Sequence, residues 1–410
     1  MSWTRRRVLA SVAGVCAVSG CLGSAGDGDR PLPETPAGTW AQSGYDAQNT
    51  RAADVTVPDR GTPAWSGGSG SITPLVVDGT VYTVDDVLTA LHARTGERKW
   101  QTDLDIEHSP NSATQPAVVD DTLLLASDSR LRSFDTADGS KRWERTITGS
   151  PDQPTTVAAD RQMGFAFFRR PERGERPTEL VAFGIEAGET EWTAPLKAPG
   201  APPAVFGDRV YVAGWKGPET QVLRCLRSAD GTRVWEREIE ERETPPVSTA
   251  TGVLIGDGTD VAVYDHADGE RSASIDGSVG QIRGLAVDDG TAFVLGDAGL
   301  SAVSVPDGSE QWSLSGGESS DYAQADGLAV GREAVVAPVF PDTDTTPSIA
   351  AFDRADGTPA WYYTVDDGWS PTIATPPVLA DGAVFVTTNT KTGVTALGDL
   401  PPRTDETDSS

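Results

Sequence analysis

Three histidines and three cysteines are the whole stock of soft metal ligands and strong nucleophiles in this chain of 410 residues. His92, His108 and His266 stand far apart and show no metal-ligand spacing. The sequence has no Gly-x-Ser-x-Gly elbow, no His-Glu-x-x-His, no phosphate-cradling loop and no Cys-x-x-Cys-His. Asp342-Thr343-Asp344 is a fragment of a calcium loop that lacks the other ligand positions. Acids are plentiful, 61 against 33 bases, for a net charge of -28. A phosphate backbone needs a basic footprint, so nucleic acid is excluded as a main partner. The acids are 40 Asp and 21 Glu, and only 5 of the bases are Lys. That composition suits a halophilic protein, because high salt screens like-charge repulsion within a few Å. No catalytic and no metal residues are expected from local motifs. Any site must come from side chains that the fold draws together.

The N-terminus reads as an address. Arg5, Arg6 and Arg7 precede an apolar run, Val8–Val18, that is too short to span a bilayer. Thr4-Arg5-Arg6-Arg7-Val8-Leu9 resembles a twin-arginine (Tat) export motif, with Arg5 and Arg6 as the pair. Val18-Ser19-Gly20-Cys21 resembles a lipobox, which implies lipidation of Cys21. The expected plan is a signal peptide at 1–20, a flexible Pro-rich tether at 21–38, a folded domain at 39–400 and an acidic tail at 401–410. Cleavage before Cys21 removes three arginines and takes the charge from -28 to -31. It also leaves Cys225 as the one thiol not lost or lipidated, so no internal disulfide is expected.

Within the domain one eleven-residue phrase recurs seven times, from ALHARTGERKW at Ala90–Trp100 to AFDRADGTPAW at Ala351–Trp361. The turn glycines 96, 139, 188, 231, 269, 308 and 357 lie about 43 residues apart. An Asp-Gly or similar hairpin signal precedes each phrase, and runs of β-branched residues flank the turns. In the first unit this predicts strands at Thr73–Val77, Thr80–Val84, Val87–His92 and from Gly96 into Trp100. Four antiparallel strands per repeat predict an all-β, eight-bladed β-propeller. The eighth unit stops after three strands, near Val394–Leu397. Arg60–Trp65 matches the missing fourth and is expected to close the ring.

The phrase resembles the docking motif Ala-x-Asp-x-x-Thr-Gly-x-x-x-Trp of the quinoprotein (PQQ-like) propeller family, to which the BamB lipoproteins belong. The resemblance covers residues 62–400 and implies that Trp65, Trp100, Trp143, Trp192, Trp235, Trp312 and Trp361 dock neighbouring blades. The small residue opening each phrase is expected to make room for a neighbour's indole. Cys225 occupies that position and reads as a small buried apolar group. Trp40–Asp46 with Asn49-Thr50 resembles the family's lead-in and is expected along the outside.

Turns between first and second, and third and fourth, strands share one face. The long, variable segments share the other, where binding residues are expected. Candidates there are Gln115, Gln153, Gln281, Arg283, Tyr322, Gln324 and Trp369. Arg169, Arg170, Arg173 and Arg176 form a local basic insert. The resemblance implies a lipid-anchored, extracellular scaffold held at the cell membrane through Cys21. It would be monomeric and bind an exported protein or an envelope component. The composition points to a haloarchaeal cell, which has no outer membrane to assemble. No cofactor is expected. The family's dehydrogenases use adjacent cysteines, a stacking Trp and a calcium set with PQQ, and no adjacent cysteines occur here. A PQQ-dependent oxidoreductase remains the alternative. A glycan-binding or glycan-cleaving propeller, needing two carboxylates about 5–9 Å apart, is the second.

Overall fold

The computed structural model describes residues 29–401, except 71, 106–114, 128, 148–155, 170–177, 197–200, 218–219, 241–243, 316–326, 340–346, 366–372, 374 and 389–392. Every regular element among the described residues is a β-strand. Among the described residues no helix is long and apolar enough to cross a membrane.

The strands form eight sheets, each built on four consecutive antiparallel strands in chain order, save the last, and Thr39–Trp40 adds a fifth strand to the first. Blade 1 comprises Leu75–Val77, Thr80–Val84, Val87–His92 and Arg98–Asp103. The Asp78-Gly79 pair turns the first hairpin with both residues at positive φ, 47° and 69°. Only residues that tolerate left-handed backbone make so tight a turn. Alternation then sets the burial. The middle strands are buried almost throughout, whereas outer strands such as Arg98–Asp103 expose every second residue.

The innermost strands of the eight blades touch in sequence around a ring, and blade 8 meets blade 1. The eighth sheet contains Val378–Ala380, Ala383–Thr388 and Gly393–Gly398, and its outer strand is Thr62–Gly67 from the other end of the domain. Thr62 pairs with Gly398 and Gly67 with Val394. The ring is thus an eight-bladed β-propeller closed by the expected N-terminal strand, which leaves no open break between blades.

Tryptophans hold the seams, but not against the residue expected. Each small phrase-opening residue is the cross-strand partner of the Trp in its own blade, as Ala90 is of Trp100 and Cys225 of Trp235. The indole covers the turn glycine of the next blade instead. A Cβ built on Gly96 would lie 2.6 Å from Trp65, on Gly139 2.5 Å from Trp100, and on Gly231 2.5 Å from Trp192. Each indole N–H then donates to a carbonyl three residues before that glycine. Trp65 bonds Ala93 at 3.1 Å, Trp235 bonds His266 at 3.0 Å and Trp312 bonds Arg354 at 2.9 Å. Trp100, Trp143, Trp192 and Trp361 repeat the arrangement on Thr136, Ile185, Ser228 and Pro58. Blade 5 carries Ala273 at this place, and only Ile275 Cγ1 comes near Gly308, at 3.9 Å.

Candidate functional site

The lead-in does not run along the outside. It enters the centre, because the innermost strand of every blade has one edge without a sheet partner, and unpaired backbone groups must find donors or acceptors. Thr39 and Trp40 pair with Val77 and Val76 of blade 1. Val118 of blade 2 donates its N–H to Ala41 O. The Gln42 side chain then copies a strand edge for blade 3, with Nε2 donating to Ala159 O at 2.7 Å and Oε1 accepting from Ala159 N at 2.9 Å. Val205 donates to Ala47 O, Ser248 to Gln48 O, Val287 to Thr50 O, Val330 to Arg51 O and Gly382 to Thr56 O. These belong to blades 4, 5, 6, 7 and 8 in turn. Residues 37–56 therefore travel once around the channel and close it at the end that carries the tight turns.

A segment that curves this sharply needs unusual backbone. Tyr45, Asn49 and Arg51 take φ of 81°, 60° and 52°. Such values are uncommon outside glycine and persist where surroundings enforce them. The Asp46 carboxylate stabilises the bend by accepting from Gln48 N, Thr50 N and Thr50 Oγ1 at 3.0, 3.0 and 2.9 Å. Burial raises its pKa against the effect of those bonds. The Asn49 amide donates to the carbonyls of Pro202, Pro203 and Pro246, joining blades 4 and 5. Trp40 is fully buried with its ring edge-on to Tyr45 at 5.2 Å. Arg51 is 8% exposed, and burial lowers its guanidinium to about 10.

The described candidate residues of the loop face, Gln115, Gln281 and Arg283, are not assembled into one cluster. Gln115 bridges to Thr156 between blades 2 and 3, and its side-chain Oε1 is buried without a described partner. Gln281 lies in blade 6, on the opposite side of the ring, where its N–H donates to Asp297 Oδ1 at 2.9 Å. Arg283 is the bulged residue between Ile282 and Gly284 in the same blade and is half-buried. Gln153, Tyr322, Gln324 and Trp369 lie outside the described residues, as do Arg170, Arg173 and Arg176 of the basic insert. Arg5, Arg6 and Cys21 lie outside them too, with His108 and the Asp342-Thr343-Asp344 fragment. His266 donates its Nε2–H to Thr249 O at 2.7 Å, hydrogen-bonds the Tyr211 hydroxyl through Nδ1 at 2.5 Å and stacks on Phe206, a structural role between blades 4 and 5. Cys225 is fully buried, and burial pushes its thiol up to about 11, away from reactivity. Among the described residues no group of three or more His, Cys, Asp or Glu could hold a metal ion.

The sequence matches the family model described as outer membrane protein assembly factor BamB over residues 37–213, 173–284 and 219–397. The chain belongs to this family. By sequence it is similar to a quinohemoprotein alcohol dehydrogenase of Comamonas testosteroni, 30% identical over 197 residues, 41% of this chain and 27% of that protein. It is also similar to the serine/threonine-protein kinase AfsK of Streptomyces griseus, 29% identical over 174 residues, 41% of this chain and 21% of the kinase. The chain thus spans under a third of the length of these relatives. By structure it is similar to BamB from Moraxella catarrhalis, with a TM-score of 0.59 and 12% identity, over 83% of this chain and 99% of the other. The Comamonas dehydrogenase aligns with a TM-score of 0.63 and 14% identity, over 89% and 82%. At these identities the structural likenesses establish the fold alone.

The calcium ligands and adjacent cysteines that accompany PQQ in the family's dehydrogenases are not found among the described residues.

Proposed function

We propose that the chain is a lipid-anchored, extracytoplasmic propeller that acts as a non-catalytic scaffold for an exported protein or a component of the cell envelope. The observation that carries this reading is the sealed ring in a member of the BamB family. Residues 37–56 consume the inner strand edges at the turn end, so that end offers a packed surface of short turns. The second-to-third strand connections and the crossings between blades leave from the other end, where a rigid ring can present a partner-binding face. Anchoring through Cys21, after twin-arginine export of the folded chain, would hold the propeller at the outer surface of the membrane. The assembly role printed for BamB belongs to that protein. What supports a scaffold here is the family and the geometry, while the partner is a proposal of chemistry: an exported chain or envelope polymer that meets exposed loops and outer-strand edges.

The test is photo-cross-linking on intact cells from a probe placed at Gln281 or Arg283, with Asp208 on the turn face as control. A discrete adduct from the loop face alone is expected. In parallel, PQQ and calcium are added to the purified chain while tryptophan fluorescence and melting temperature are followed. A saturable quench with a raised melting temperature, and no adduct, would replace the scaffold with the oxidoreductase suggested by the dehydrogenase relatives. A released, unlipidated Cys21→Ala protein is expected in the medium.

A further inference from the structure

One charged side chain in the sealed channel has no counter-charge among the described residues. Arg51 belongs to the seal by its backbone, which accepts from Val330 of blade 7. Its side chain leaves the seal along that blade. Nη1 lies 3.2 Å from where a Cβ of Gly327 would stand, three residues back along the inner strand, toward the loop end. Pro376 of blade 8 borders the same spot at 2.9 Å. Gly284 of blade 6 faces Gly327 so closely that its Cβ would fall 2.7 Å from the Gly327 backbone. The guanidinium thus rests on the bare backbone of Gly327, with the Gly284 backbone and the Pro376 ring packed beside it. Among the described residues Nη1 has no hydrogen-bond acceptor, and no acid pairs with Arg51. Next in the chain to Pro376, the Thr375 hydroxyl is likewise buried without a described partner.

A buried unpaired charge is costly, and such groups are normally matched by a counter-charge. The guanidinium presents a planar fork of donors that matches two oxygens of one planar group. We infer that the channel is an anion site in which Arg51 holds a small carboxylate above the seal. The inference is independent of the scaffold reading, because it concerns the channel and not the loop face.

The test uses the purified chain at constant sodium concentration, with sodium chloride exchanged stepwise for sodium acetate. Wild type is expected to show a saturable rise in melting temperature of about 2–4 °C at tenfold over the dissociation constant. It is also expected to broaden the carboxyl line of 13C-acetate. Arg51→Met keeps the length of the side chain without its charge. It is expected to melt no lower than wild type in chloride, and to lose both the saturable rise and the broadening. Should Arg51→Met fail to fold, Arg51→Lys keeps the charge without the fork and is expected to bind acetate several-fold more weakly. Equal responses in wild type and the Arg51 variants would overturn the proposal. The acids of 316–326 lie outside the described residues, so Asp326→Asn is the remaining arm. An acetate response that is absent from wild type and present in Asp326→Asn would show the charge to be matched internally, and would also overturn it.

Discussion

At the scale of single residues, stability is concentrated where an indole meets a glycine. Gly231 combines a φ of 70° with Trp192 at 2.5 Å from any Cβ it might carry. Gly231→Ala therefore adds left-handed strain to overpacking and is expected to lose about 2–4 kcal/mol, read as a lowered urea midpoint at fixed salt. Arg142 shows a different kind of bond. It reaches Asp121 and Asp135 at 2.7 Å each, and its hydrogen bond holds the Asp121 carboxyl down at about 2. Asp135 is lowered chiefly by the same arginine. A carboxylate depressed in the folded state contributes stability above its unfolded value, near 3.8, and loses it as pH falls toward 2. The melting temperature should hold from neutral pH to about 5 and fall below 4. Arg142→Ala should show a shallower acid limb, and an unchanged limb would refute the assignment. The seven docking tryptophans were legible in the sequence because their spacing is periodic. Their true seat was not, since a phrase aligned on itself shows which residues recur but not which blade each one faces.

At the scale of elements, the strand register follows from the turns. Thr80–Val84 and Val87–His92 have the bounds that their hairpin residues predict, whereas the inner strand begins at Leu75 and not at Thr73. The lead-in was misplaced for a physical reason. It has no alternation, and its partners lie as far away as Asp381, whose carboxylate takes the Thr56 N–H. A segment whose bonds are shared among eight distant strands leaves no local pattern to read. Asn49→Ala should strip three proline carbonyls of their donor and strain the bend, at a loss of about 2–3 kcal/mol by urea denaturation. The seam between blades 5 and 6 offers the opposite experiment. Ala273 pairs with Val263 as the docking tryptophans pair in other blades, and Gly308 stands open before it. Ala273→Trp should fill that seat, bond the Val305 carbonyl and gain about 1 kcal/mol. A lower midpoint would show that Ile275 already fills the space.

At the scale of the whole molecule, charge and closure act against each other. The net charge of -28 pushes the ring apart, while the strand pairing of Thr62–Gly67 and the circuit of residues 37–56 hold it shut. Screening over about 3 Å at molar salt, against about 10 Å in 0.1 M, shifts that balance. Desalting is expected to lower the melting temperature and then abolish the β-sheet circular dichroism in one transition. A spectrum unchanged in dilute buffer would sink the salt-adapted reading. Repeat spacing and turn chemistry announced the eight blades. They could not announce that the middle is closed.

The closing strand and the seal also impose an order in time. Thr62 waits for Gly398, and the circuit that starts beside Val77 is completed only at Gly382. A chain made from its N-terminus must keep Thr62–Gly67 without its sheet partner until its last blade has emerged. No growing fragment can close the ring, so closure is the last step, and a compartment that receives this protein already folded receives it after that step.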